Sequence, residues 1–184
     1  MKKSLSNFVV RILLAPLLCS IGLYFFNLDL FLYPLVFGIV IGILNFDKYK
    51  TKPLIGLLYG LVGGYLAFFL SYFSFFLLLH LKTTIGEDKA NLIAIITAPN
   101  LLAPMLVFSV YWFVFKFKKS KFTFLIMALS IIVLMLSCIT IYLNINLLGR
   151  NSINTNLIWQ VIMALAIQLI IYQKEMFPKH KINS

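Results

Sequence analysis

Few residues in this chain could make or break a covalent bond, and their spacing assembles none of the usual devices. Aspartyl catalysis needs two carboxylates close enough to share a proton, whereas Asp29, Asp47 and Asp88 stand in polar stretches separated by long apolar runs. A serine nucleophile needs a base within hydrogen-bond reach. No GxSxG frames a serine, and His80 is the sole imidazole apart from His180 in the tail. A haem held by two axial histidines is excluded on the same count, and neither GxxxxGK[ST] nor GxGxxG is present to cradle a phosphate. His80, Glu87 and Asp88 match no ligand spacing and read as a solvated loop. Cys19 and Cys138 each lie inside an apolar run and read as small hydrophobes. The chain is therefore expected to be no enzyme and to hold no metal or cofactor.

What remains is polar but uncharged. In the stretch TAPNLLAPM, Pro99 and Pro104 each remove an intrahelical hydrogen bond and press on the carbonyl one turn back, so a helix there must bend or open. Thr97 and Asn100 are the nearest groups able to satisfy the freed carbonyls. Broken helices line cavities in transporters, and Gln160 and Gln168 are the amides able to join such a site. Thr97, Pro99, Asn100, Pro104, Gln160 and Gln168 thus form a candidate polar site, with helix bending and interhelical hydrogen bonding as the structural reading of the same residues.

The elements that must carry these residues follow from composition. Of 184 residues, 62% are hydrophobic and only 11% charged, with a mean hydropathy of +1.00. Soluble domains carry about 25% charged residues, so lipid must serve as solvent for much of this surface. The formal charge of +11 sits in short clusters between apolar runs rather than on one water-facing surface, which speaks against nucleic acid. It suits topology signals and anchors for anionic headgroups.

The apolar runs predict an all-α, polytopic bundle of six transmembrane helices in a single domain over 1–184, with spans at about 8–26, 30–46, 53–81, 92–115, 122–147 and 157–173. The start, with Lys2 and Lys3 before an apolar run, mimics a signal peptide. Leu17 and Leu18 before Cys19 make a poor cleavage site, so an uncleaved first span is expected. Thirteen of the sixteen lysines and arginines fall on the N-terminal side of this topology, in residues 2–11, 48–52, 116–121 and the tail. Lys82, Lys89 and Arg150 fall on the other. The positive-inside rule then puts both termini in the cytoplasm of a cell inner-membrane protein.

Packing signals are dense. Gly38 and Gly42 make a GxxxG pair, and Gly56, Gly60, Gly63 or Gly64, Ala67, Ser71 and Ser74 place small groups along one flank of the 53–81 helix. Thr123, Ser130, Ser137 and Asn144 recur every seven residues, a seam whose expected partner is that small flank. The expectation is a non-catalytic membrane protein that acts by binding another membrane protein within the lipid bilayer, as an accessory subunit or an immunity-type protein. The alternative is a small-solute transporter or the substrate-binding membrane subunit of an importer. In span number and length the chain is similar to the substrate-binding membrane subunits of energy-coupling vitamin importers, a resemblance that transfers no residue. Oligomeric state is not legible.

Overall fold

Proline and glycine punctuate the chain where helices begin and turn. The computed structural model describes residues 2–26, 30–117, 120–148 and 155–177. Helix α1 covers Lys2–Phe26, and a short 3-10 turn at Leu30–Leu32 leads into α2, Tyr33–Leu44. Pro34 and Pro53 stand in the first turns of α2 and of α3, Pro53–Leu79, where a missing amide N–H has no intrahelical partner to lose. The short α4, Lys82–Ile85, turns at Gly86 into α5, Glu87–Thr97. Gly86 sits at φ +90°, a backbone region that glycine enters without a Cβ clash. A π turn at Ala98–Leu102 joins α5 to α6, Ala103–Val114. Helices α7, Lys121–Leu148, α8, Thr155–Ile171, and the one-turn α9, Gln173–Met176, complete the chain. Among the described residues no strand forms; one isolated bridge pairs Tyr49 with Phe115.

Three stretches are long and apolar enough to cross a membrane: Pro53–Ile85, Glu87–Val114 and Lys121–Tyr142. Val9–Gly22, Tyr33–Leu44 and Thr155–Ile171 are apolar but shorter. The 12 residues of α2 make a rod of only about 18 Å, well under a hydrocarbon thickness of roughly 30 Å. The segment HLKTTIGEDKAN, expected as a loop, is largely helical, because Glu87 and Asp88 sit in the first turn of α5 where the helix dipole favours acids. The expected turn at 27–29, the connection 149–154, the tail beyond 177 and the side chain of Asn144 lie outside the described residues.

Two packed groups share one core. Helix α8 lies against α1 and α7, while α3 lies against α2, α5 and α6. Ala15, Cys19, Ile41, Leu134, Met163, Ala164, Ile167 and Ile170 are almost wholly buried between them. The small residues of α2 and α3 act as sockets: a Cβ on Gly38 would strike Leu61, one on Gly42 would strike Leu57 and Tyr49, and one on Gly56 would strike the Tyr49 ring. Gly60 faces Tyr111 and Gly63 faces Val110, both on α6. The seam on α7 therefore does not meet the small flank of α3, contrary to expectation, because α6 and Tyr49 already occupy it. Thr123 and Ser130 are buried and Ser137 is half-buried. Thr123 Oγ1 shares hydrogen bonds with Gln173 on α9, whereas Ser130 Oγ donates back to the Met127 carbonyl of its own helix.

One end of the bundle is tied by polar groups. The Lys50 N–H donates to the Val114 carbonyl at 3.0 Å and the Lys116 N–H to the Lys48 carbonyl at 3.1 Å, pairing the two lysine-bearing connections. Arg11 Nη1 lies 2.8 Å from Asp47 Oδ1 and donates to the Tyr172 hydroxyl at 3.0 Å. Lys48 Nζ pairs with Glu175 Oε1 at 2.5 Å and lies 5.0 Å from the centre of the Tyr172 ring. These contacts gather α1, the connection after α2 and the end of α8 at the same pole.

Candidate functional site

The TAPNLLAPM stretch opens into a π turn, and its geometry follows from the two missing amide protons. Pro99 cannot donate to the Ile95 carbonyl one turn back. Asn100 replaces the lost donor, its Nδ2 reaching Ile95 O at 2.8 Å. The Ala98 carbonyl accepts the Ala103 N–H, five residues on, and also the Ser71 hydroxyl of α3 at 2.8 Å. In that register the next amide belongs to Pro104 and is absent, which exposes the Pro99 carbonyl. Trp159 Nε1 of α8 donates to it at 2.8 Å. Asn100 and Trp159 thus satisfy the two carbonyls that the prolines leave open, as a low-dielectric interior requires, and Ser71 gives the Ala98 carbonyl a second donor.

Beside this turn lies a half-enclosed cavity of about 330 Å³, between α2, α3, the π turn with α6, and α8. Tyr33 and Phe37 of α2, Phe68, Tyr72 and Phe75 of α3, Tyr111 of α6 and Trp159 of α8 supply its rings. Gly64 contributes open space: a Cβ built on it meets nothing within 4 Å. The first turns of α2 and α8 and the last turns of α3 contribute to the lining, so the cavity belongs to the half of the bundle remote from the Arg11, Asp47 and Lys48 pole. Rings also close its flank, since Phe31 packs against Phe68 at 6.1 Å and Tyr72 at 6.3 Å between centroids.

Polar groups on the lining residues are the hydroxyls of Tyr33, Tyr72, Tyr111 and Ser71, the amides of Asn156 and Gln160, and the Trp159 indole. Trp159 Nε1 and the Ser71 hydroxyl donate to the π turn, and Gln160 Nε2 donates to the Tyr33 carbonyl at 3.2 Å. Gln160 Oε1 and the Tyr111 hydroxyl are buried with no hydrogen-bond partner. Among the described residues no acidic or basic side chain lines the cavity.

Of the residues expected to form a polar site, Pro99 and Gln160 line this cavity and the others do not. Asn100 is spent on its own helix. Thr97 is half-buried outside the lining, Pro104 is buried behind the turn, and Gln168 is fully buried further along α8. The aromatic lining carries no sequence signal of a site: Phe68, Tyr72 and Phe75 on an apolar helix read the same as lipid-facing bulk. His80 is exposed, its Nδ1 2.8 Å from the Phe76 carbonyl, and among the described residues no three metal-ligating side chains come together.

Comparison with family models, curated proteins and solved structures finds no match.

Proposed function

We propose that this chain is a six-span membrane protein, both termini cytoplasmic, that binds a small, largely apolar molecule in the aromatic cavity beside its π turn, as a transporter or as the substrate-binding subunit of one. One observation carries this reading. A half-enclosed cavity of about 330 Å³ ringed by aromatic groups is the usual form of a small-molecule site. Closely packed bundles leave no such space without a stability cost. Binding rather than catalysis is the activity, since the cavity holds neither a nucleophile beside a base nor a paired acid and base.

Partnership with another membrane protein ranks second. Its support is the density of helix-packing signals, and the chain uses most of these internally: Gly38, Gly42, Gly56 and Gly63 already receive Leu61, Leu57, Tyr49 and Val110. The outer faces of α3 and α7 carry exposed Leu54, Leu58, Leu66, Leu125 and Leu136, which lipid covers equally well. Six spans bring the lysine-rich connections to one side, and the pairing of the connections at 48–50 and 114–116 agrees with an even number of crossings between them.

Thermal unfolding of the detergent-purified full chain against a panel of neutral two- and three-ring compounds tests the proposal. Gly64→Leu fills the open space at the cavity wall. At least one compound should raise the melting temperature of the parent chain and fail to raise that of the Gly64→Leu variant. A shift of equal size in both would mean that binding occurs elsewhere.

A further inference from the structure

A file of four aromatic rings runs from the cavity to the basic pole. Phe37 and Tyr111 stand at the cavity wall, their ring centroids 6.2 Å apart. Tyr111 stacks on Phe115 at 5.5 Å with 10° between the planes, and Phe115 stacks on Tyr49 at 4.7 Å and 23°. None of the four is more than 4% exposed. Tyr49 and Phe115 sit opposite each other in the two lysine-bearing connections, which the hydrogen bonds from Lys50 to Val114 and from Lys116 to Lys48 hold together. Next to Tyr49 along the chain, Asp47 pairs with Arg11 of α1, and Lys48 pairs with Glu175 of α9. The rings fill the line between cavity and pole, and the charged pairs fasten its far end.

The fastenings are of a kind that can part. Tyr49 lies on Gly42 and Gly56, and Tyr111 lies against Gly60, so these rings rest on backbone with no side chain interlocked at those positions. The Tyr111 hydroxyl has no hydrogen-bond partner, and turning the ring breaks none. At the pole the charged groups are partly exposed, so water screens each pair and competes for it. Two backbone hydrogen bonds complete the closure. A molecule held in the cavity half can reach the basic side only if this line opens, as alternating access requires. Resting on the transporter reading above, we infer that Phe37, Tyr111, Phe115 and Tyr49 form the closed gate on the basic side of the cavity. It opens when the connection carrying Tyr49 separates from the one carrying Phe115, and the Arg11 to Asp47 and Lys48 to Glu175 pairs set how often it does so.

Thiol accessibility across the file tests the gate. Gly64→Cys, in a Cys19→Ala, Cys138→Ala background, puts a thiol at the cavity wall where a Cβ meets nothing within 4 Å. Membrane vesicles in which Lys116→Cys reacts with a membrane-impermeant maleimide present the basic pole to the medium, whichever way the chain is inserted. In that preparation the Gly64→Cys thiol should react slowly. Adding Asp47→Ala and Glu175→Ala removes both charged pairs, leaves every ring in place and should raise the labelling rate about tenfold. Adding Tyr49→Ala and Phe115→Ala instead empties half of the file and should raise the rate at least as much. Phe68→Ala, at the cavity wall but outside the file, should leave it unchanged. Labelling of Gly64→Cys alone as fast as with the file emptied would overturn the closure. An unchanged rate after removal of the charged pairs would overturn the gate and make the rings a fixed core, whether or not the Tyr49→Ala, Phe115→Ala variant folds. Either result leaves the melting-temperature test of ligand binding standing, so failure of the gate and failure of the cavity reading are told apart.

Discussion

Both amide atoms of Gln168 are buried without a hydrogen-bond partner. Removing such a group relieves its desolvation, so Gln168→Met should stabilise the protein by about 1–3 kcal/mol, read as a raised melting temperature in detergent. The opposite sign is expected at Asn100. Asn100→Ala strips the Ile95 carbonyl of its donor beside a proline and should cost about 1–3 kcal/mol, measured in the same way, without changing the ligand preferences of the cavity. The sequence made the need for a donor at Pro99 legible, because a missing N–H has a fixed consequence one turn back. It could not say that Asn100 turns back on its own helix while Gln160 lines the cavity. Those directions depend on which neighbour each helix face meets, and an amide on an apolar helix carries the same signal whichever way it points.

At the scale of helices, the α3 glycines separate into sockets and space. A Cβ on Gly56 would lie 2.2 Å from the Tyr49 ring, whereas one on Gly64 would meet nothing within 4 Å. Gly56→Ala should therefore lower the melting temperature, while Gly64→Ala, at a helical site that gains propensity of about 1 kcal/mol, should hold or raise it. Equal effects at both would mean that Tyr49 does not seat on α3. Tyr49 also confers a pH dependence. Burial pushes its phenol from the ordinary value of 10 up to about 12, so the fold favours the neutral form. Its contribution is complete below about pH 10 and is lost as the pH rises towards 12. Stability should fall over that interval, and Tyr49→Phe should flatten the fall. Helix positions were readable from apolar runs and prolines, but partnership was not. A heptad of small polar groups says that α7 wants a close neighbour and leaves open whether α3 or α8 supplies it.

Over the whole molecule, charge distribution and fold agree on a polarity. The connections bearing Lys48, Lys50 and Lys116 pair at one pole, with Arg11 and Glu175 drawn in by ion pairs that, being partly exposed, fix geometry more than they add stability. The cavity lies towards the other pole, where Tyr33, Pro34 and Asn156 contribute to its lining. The basic pole is legible in part, since the lysine clusters at 48–52 and 116–121 mark the connections that the fold pairs. The cavity itself is not, because an enclosed space is a property of four helices together and no single stretch encodes it. If the basic pole faces the cytoplasm, the cavity half is the outer half and its occupant comes from outside the cell or from the outer leaflet.

Site-specific labelling decides this most directly. In a Cys19→Ala, Cys138→Ala background, single cysteines are introduced as Thr83→Cys or Lys116→Cys, both exposed positions at opposite poles, and intact cells are treated with a membrane-impermeant maleimide. Thr83→Cys should label from outside, and Lys116→Cys only after the cells are opened. Labelling of Lys116→Cys in intact cells, or equal reactivity at both positions, would contradict a bundle that crosses the bilayer with its lysine-rich end inside.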